Sequence, residues 1–290
     1  MTPTVGELED SVLLVTGATG NVGRNVVGRL LAAGAAVRAL TRDPAAARLP
    51  AGAEVAAGDL ARPETVEPAL KGVSALFLFP SPGTAGPVLR AARELGVRRV
   101  VMLSSSAVGY SGEGADNSVV AYHREIEHQV EDSGLEWTVV RPGAFAANTR
   151  QWAPQIRAEG VVRGPFAEAE MSLVDDRDIA DVATRALLSE GHSGAKYTLT
   201  GPESLTQAEQ ARRIGEALGR PVRYEEVPPD VARERMIRDR VPADMVEMTL
   251  KFQAGLVGVR AQVTSTVEDV TGRPARTFDQ WAADHVADFR

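Results

Sequence analysis

The sequence predicts an α/β fold: a Rossmann-type, doubly wound parallel sheet carrying a smaller, mainly helical C-terminal substrate lobe. Three observations predict it. Short β-branched runs alternate with helix-period segments through the first half of the chain, the pattern of a parallel sheet with right-handed crossovers. The first of these strands passes through a glycine turn straight into a helix, the arrangement by which dinucleotide folds hold a pyrophosphate. Beyond Gly143 the alternation loosens, and a helical stretch from Val227 to Arg260 carries Met236, Met245 and Met248.

Each element has a local reason. Ser11 to Thr16 is an apolar strand that ends in glycine. Asn21 to Ala33 sets Val22, Val26, Val27, Leu30 and Leu31 at helical spacing, and Gly34 stops it. Ala36 to Thr41 and Glu54 to Ala57 are the next strands; Val73 to Phe79 is a fourth, closed by Pro80, Pro82 and Gly83. Thr84 to Leu95 is helical up to Gly96, and Arg99 to Leu103 is a fifth strand followed by three serines. A helix from Asn117 to Asp132 ends at Ser133-Gly134, and Trp137 to Val140 is a sixth strand broken by Pro142-Gly143. Asp178 to Leu188 is a helix, Lys196 to Thr200 a strand, and Thr206 to Leu218 a helix that Gly219 ends. Residues 1–147 thus form a cofactor-binding domain to which 176–200 return, while 148–175 and 201–290 form the substrate lobe.

Composition narrows the function. The chain has 290 residues, 44% of them hydrophobic, and a net charge of -7, so no basic field favours nucleic acid or an anionic membrane. It contains no cysteine, which removes disulfides, thiolate nucleophiles and Cys-ligated metals. No His-rich ligand spacing suggests a metal site, and no G-x-S-x-G elbow suggests a hydrolase. Met1 to Asp10 is acidic, unlike a signal peptide, and no apolar run approaches the roughly 20 residues of a bilayer span. A soluble, cytoplasmic protein acting on a small molecule is the expectation; oligomeric state is open.

The glycine turn reads Gly17-Ala18-Thr19-Gly20-Asn21-Val22-Gly23. Its glycines permit a tight turn and close backbone approach, so Gly17, Thr19, Gly20, Asn21, Val22 and Gly23 are the candidate pyrophosphate cradle. Strand two ends Leu40-Thr41-Arg42, with Asp43 one position later. A carboxylate at this place suits a ribose 2′-OH, and an arginine suits a 2′-phosphate. Arg42, with Arg24 in support, therefore favours NADPH, with NADH as the alternative; the other reading makes both arginines solvated. Asp59 and Leu60 after strand three face the adenine edge, unless Asp59 is a helix cap. Phe79 ends strand four at the same edge of the sheet.

With these pieces in place the chain resembles the atypical short-chain dehydrogenase/reductases of the NmrA-like family, especially its quinone-oxidoreductase-like branch. The resemblance is carried by Thr16 to Gly23, Gly58-Asp59-Leu60, Ser104-Ser105-Ser106, Glu127, Ser133 to Gly143, Asp176 to Ala180, Tyr197 to Pro202 and Thr271 to Phe278, and it covers essentially the whole chain. It implies hydride transfer from NAD(P)H to a ketone, quinone or enone, including aromatic polyketides of secondary metabolism. The family also includes regulators that sense cofactor redox state without catalysis, which is the alternative.

The usual Tyr-x-x-x-Lys pair of short-chain reductases is missing. Aligned on Glu127, the helix puts Val119 at the tyrosine position and His123 at the lysine position. Tyr122 either reaches the pocket from the same helix or packs on the sheet. His123 either serves the nicotinamide ribose and a proton relay or is structurally bonded. Asn117 faces the substrate mouth in this reading. Ser104, Ser105 and Ser106 end strand five at the cleft: Ser104 is placed on the cofactor, and Ser105 and Ser106 are candidates to hold a carbonyl. Their alternative is a turn cap. After strand six, Pro142 borders the nicotinamide. Phe145, Asn148, Trp152 and Phe166 then offer surface for a flat, apolar substrate, or else lobe core. Lacking the tyrosine, the proton comes from water or from a phenol on the substrate itself.

Overall fold

The computed structural model describes residues 12–79, 81, 83–109 and 118–290. Met1 to Asp10, Ser11, Pro80, Pro82 and Asn117 lie outside the described residues, as do the expectations placed on them. The chain runs β1 (Val12–Val15), α1 (Asn21–Ala32), β2 (Ala36–Thr41), β3 (Glu54–Ala57), α2 (Glu67–Leu70), β4 (Val73–Leu78), α3 (Ala85–Glu94), β5 (Arg99–Leu103), α4 (Ser118–Glu131) and β6 (Glu136–Pro142). It continues through α5 (Ala153–Glu159), β7 (Val161–Gly164), β8 (Glu170–Met171), α6 (Asp176–Leu188), β9 (Ala195–Leu199), β10 (Leu205–Thr206), α7 (Gln207–Leu218) and β11 (Arg223–Glu226). The helices α8 (Pro229–Arg238), α9 (Ala243–Ala254), α10 (Thr266–Thr271) and α11 (Phe278–Asp284) follow.

Seven parallel strands form the central sheet in the order β3-β2-β1-β4-β5-β6-β9. Strand residues alternate between its faces, as the two-residue period requires. Leu13, Val15, Val37, Ala39, Ala75, Phe77, Val101, Leu103 and Val140 meet α1 and α6 on one face. Leu14, Leu40, Leu76, Leu78, Val100 and Met102 meet α2, α3 and α4 on the other. Both faces are covered, so the strands read as near-continuous apolar runs. The strand order reverses between β1 and β4, which opens a crevice at their carboxyl ends.

The lobe has its own core, built from Trp152, Ile156, Val162, Leu173, Ile214, Phe278, Trp281 and Phe289 with smaller neighbours. It also holds two short sheets that the helical expectation passed over. One pairs β7 with β11 in parallel, and the other pairs β8 with β10 antiparallel. Their sequences, Val-Val-Arg-Gly and Arg-Tyr-Glu-Glu, have no alternating pattern to announce a strand. Residues 201–290 are also not all lobe. Val267, Val270 and Ala275 pack on the α1–α6 face of the sheet. Arg276 joins them there, bound to Asp178 and, at 3.0 Å, to Asp181.

Candidate functional site

The glycine turn is built by contacts that leave no room for side chains. Gly17 adopts φ +60° and backs onto Phe79, whose Cβ would lie 2.9 Å from a methyl there. A Cβ on Gly23 would stand 2.2 Å from the Gly17 carbonyl oxygen, so the first turn of α1 can approach the loop only with glycine. The Thr16 hydroxyl donates to the Phe77 carbonyl at 3.0 Å and accepts from the Phe79 N–H at 2.7 Å. That clamps the ends of β1 and β4 together across the crevice. No side chain caps the N-terminus of α1, and its dipole therefore faces the crevice with free N–H groups.

Beside the turn lies a cleft of about 560 Å³ lined by Gly17, Thr19, Thr41, Arg42, Asp59 and Phe79, among others. Leu40, Asp43, Ala46, Ala47, Gly58, Leu60, Ala61 and Ser81 complete its wall. Ala46, Ala47 and Ser81 carry no motif signal, because they reach the cleft through loop conformation. Asp43 caps its own turn: its Oδ1 accepts the Ala45 and Ala46 N–H groups at 3.1 and 3.2 Å. Arg42 is exposed on the cleft wall. Arg24 instead bridges the Arg48 and Thr19 carbonyls. Asp59 accepts from the Ala61 N–H at 3.0 Å and pairs with Arg62 at 3.6 Å, so it caps its own turn while lining the cleft. The glycine cradle, the uncapped helix N-terminus, the groove beside them and the exposed arginine together suit NADPH.

At the same carboxyl edge of the parallel sheet stand the residues after β5 and β6. Ser104 is 5% exposed and donates to Glu127 Oε1 at 2.5 Å, so its hydroxyl is turned onto α4 rather than offered to a cofactor. The Ser105 hydroxyl accepts the Ala107 N–H at 3.2 Å. Ser106 opens the 3-10 turn that follows and sits across from Gly143, where a Cβ would be 3.8 Å from its hydroxyl. Pro142 is buried at the end of β6, and the Gly143 N–H donates to Leu199 at 2.9 Å.

Strand parity brings a charged network to α4 that the motif reading did not assemble. Ser104 shares a face with Val100 and Met102, and Arg141 lies opposite in sense to Val140, so both turn toward α4. Arg141 grips Glu127 through Nε at 2.9 Å and Nη2 at 2.5 Å. Lys196 of β9 approaches the same carboxylate at 3.8 Å and pairs with Glu131 at 2.6 Å. Burial pushes the Glu127 carboxyl up, but bonds from Arg141 and Ser104, with the Arg141 and Lys196 charges, hold it below the ordinary range. Deleting one partner of such a buried pair costs about 3–5 kcal/mol, because a lone buried charge is left.

The α4 candidates part company. Tyr122 packs against the sheet face shared with α3, and burial pushes its phenol up to about 12, which makes it a poor acid. His123 stacks at a tilt on Tyr122, with ring centroids 4.9 Å apart. Its Nδ1 is buried and has no hydrogen-bond partner among the described residues. Burial lowers its pKa, and the Glu127 charge opposes that.

In the lobe, Phe145 is half-buried where its backbone bridges Val174, and Asn148 is exposed. Trp152 corrects the expectation of a substrate wall: it is 8% exposed in the lobe core, edge-on to Tyr224 at 5.9 Å. Phe166, at φ 55°, packs against the small α8–α9 core. Among the described residues no cluster of His, Asp and Glu is arranged to hold a metal, and no helix is long and apolar enough to cross a membrane.

The sequence model of the NmrA-like family matches residues 9–279. The (4-alkanoyl-5-oxo-2,5-dihydrofuran-3-yl)methyl phosphate reductase of Streptomyces griseus subsp. griseus is 41% identical over 282 residues, covering 96% of this chain and 99% of that protein. The NAD(P)H azoreductase of Xenophilus azovorans is 39% identical over 289 residues, covering 96% and 99%. Among solved structures, an NADPH-dependent quinone oxidoreductase from Escherichia coli superimposes with a TM-score of 0.79 at 25% identity, covering 94% of this chain and 98% of that one.

Proposed function

Because the chain belongs to the NmrA-like family, we propose that it is an NADPH-dependent reductase of conjugated, electron-poor small molecules: quinones, enones and ketones flanked by unsaturation or phenol. One observation carries this beyond the family: the place of the usual tyrosine is taken by Val119, and Tyr122 is packed with its proton held tightly. Among the described residues the site therefore offers no strong phenolic acid to a simple carbonyl. It suits acceptors in which the incoming negative charge spreads over the substrate and the proton follows from water or from the substrate's own hydroxyl. The two bacterial relatives are named for an unsaturated lactone and for azo compounds, which agrees with that class.

Bound NADPH supplies the hydride. Gly17, Thr19, Gly20, Asn21, Val22 and Gly23 hold its pyrophosphate, Arg42 its 2′-phosphate, and Asp59, Leu60 and Phe79 line the adenosine end. Pro142 shapes the floor at the nicotinamide end. His123 faces the ribose there, while Ser105 and Ser106 hold the substrate oxygen. Phe145, Asn148 and Phe166 border the substrate opening of the lobe. The work of the protein is orientation and exclusion of water more than acid catalysis.

The test is NADPH oxidation against a panel of quinones, enones, aromatic ketones and azo dyes, repeated with cofactor deuterated at the transferred position. Turnover with a primary isotope effect on at least one conjugated acceptor is expected. No oxidation of any member, with different affinities for NADP+ and NADPH, would replace the reductase by a redox-sensing protein.

A further inference from the structure

Glu127 lies one helical turn beyond His123 on α4 and is 1% exposed. Three strands bring a polar group to its carboxylate: Ser104 directly after β5, Arg141 from β6 and Lys196 from β9. On α4 itself His123 and Glu131 lie one turn to either side of it, and Arg124, Glu125 and His128 are the other charged or titratable groups between them. A helix that needed only to pack on the sheet could do so through Val120, Ile126 and Val130, all buried on its inner side. The converging polar groups instead fix the helix along its axis, since a bidentate fork tolerates little sliding. The residue one turn away is His123, with a buried Nδ1 that lacks a partner among the described residues.

We propose that Glu127 is a positioning residue for the reduction: it pins α4 to the ends of β5 and β6, and its negative charge sets the place and protonation of the His123 ring at the cofactor. This rests on the reading of His123 as cofactor-facing. The charge acts against the burial of the ring, so it favours the protonated imidazole. It also explains why Ser104 is not free. That hydroxyl serves the carboxylate, leaving Ser105 and Ser106 to the substrate.

The experiment compares wild type, Glu127→Gln, His123→Ala and the double variant. The His123 ring is titrated by NMR without cofactor, and hydride transfer is followed in single turnovers. Glu127→Gln keeps the shape and removes the charge. The His123 midpoint should move to lower pH in it. Each single variant should slow hydride transfer by roughly tenfold or more, and the double should fall no further than about twofold below His123→Ala, since coupled residues are not additive. An unmoved midpoint in folded Glu127→Gln, or a double variant that loses the product of both effects, overturns the proposal. Should Glu127→Gln fail to fold, Glu127→Asp carries the titration: it keeps the charge but withdraws it by one methylene, so the His123 midpoint should fall by a smaller amount, and no movement there overturns the proposal equally. If wild type reduces no acceptor, the proposed function fails alone, and the titration still decides the role of Glu127.

Discussion

Removal of the Arg42 side chain should separate the two nicotinamide cofactors. In Arg42→Ala the cleft loses its exposed guanidinium, while the glycine cradle and the Thr16 clamp stay as they are. A hydrogen bond to a charged group contributes about 1.5–3 kcal/mol. Arg42 is exposed, so screening by solvent places it at the low end, and about 1.5 kcal/mol corresponds to roughly tenfold in Kd. NADPH affinity should therefore fall roughly tenfold and NADH affinity by no more than about twofold. Asp43 bears on the contrast, since its Oδ1 accepts the Ala45 and Ala46 N–H groups, which ties the carboxylate to its own turn. Fluorescence titration of both reduced cofactors against both proteins measures the ratio directly. Equal weakening of the two, or no weakening of either, would refute the assignment of the 2′-phosphate to this residue.

Three further substitutions probe the glycine turn, helix α1 and the start of α6. Gly23→Ala forces a methyl onto the Gly17 carbonyl, so it should cost about 1–3 kcal/mol in urea unfolding and weaken both cofactors together. Gly28→Ala, whose methyl meets only Pro50 at 3.9 Å, should instead gain about 0.5–1 kcal/mol; equal losses at the two sites would rule out the steric account. Asp176 is buried with an unpartnered Oδ1, and burial, then the Asp175 charge, raise its pKa from 3.8 to about 6 against Arg150, His285 and Arg177. The folded state thus holds a proton that the unfolded chain releases, so this group lowers stability as pH rises from about 4 to 6 and keeps it lowered above. Asp176→Asn should stabilise the protein by about 1–3 kcal/mol near pH 8 and by little near pH 4, the upper figure being about two units at 1.36 each. Denaturation at both pH values checks this, and a gain that is the same at both would defeat it.

How much of this was legible in the chain depends on what each feature needs. The strands β1, β2, β4, β5 and β6 were, because a sheet covered on both faces demands runs such as Val-Leu-Leu-Val and Arg-Val-Val-Met-Leu. The cradle was legible for the same kind of reason: glycine spacing and the strand–turn–helix context are local. Strands β7 and β11 were not, since their pairing partners are far apart in the chain and neither carries alternation. Trp152 and Phe145 looked alike as aromatic residues after β6, and only the lobe core separates the buried one from the half-buried one.

The α4 network is the instructive case, because every ingredient was visible and the assembly was not. Met102 and Ser104 must share a face, as must Val139 and Arg141, and Lys196 must oppose Tyr197. Those parities follow from the sequence alone. What they need is the register that sets Leu103 beside Val140 and Val139 beside Lys196, together with the helix that covers that face. Given both, three polar residues from three strands have one buried carboxylate to meet. A motif scan along the chain finds Glu127 as a landmark four residues after His123, whereas its place across the sheet makes it a candidate to govern that histidine.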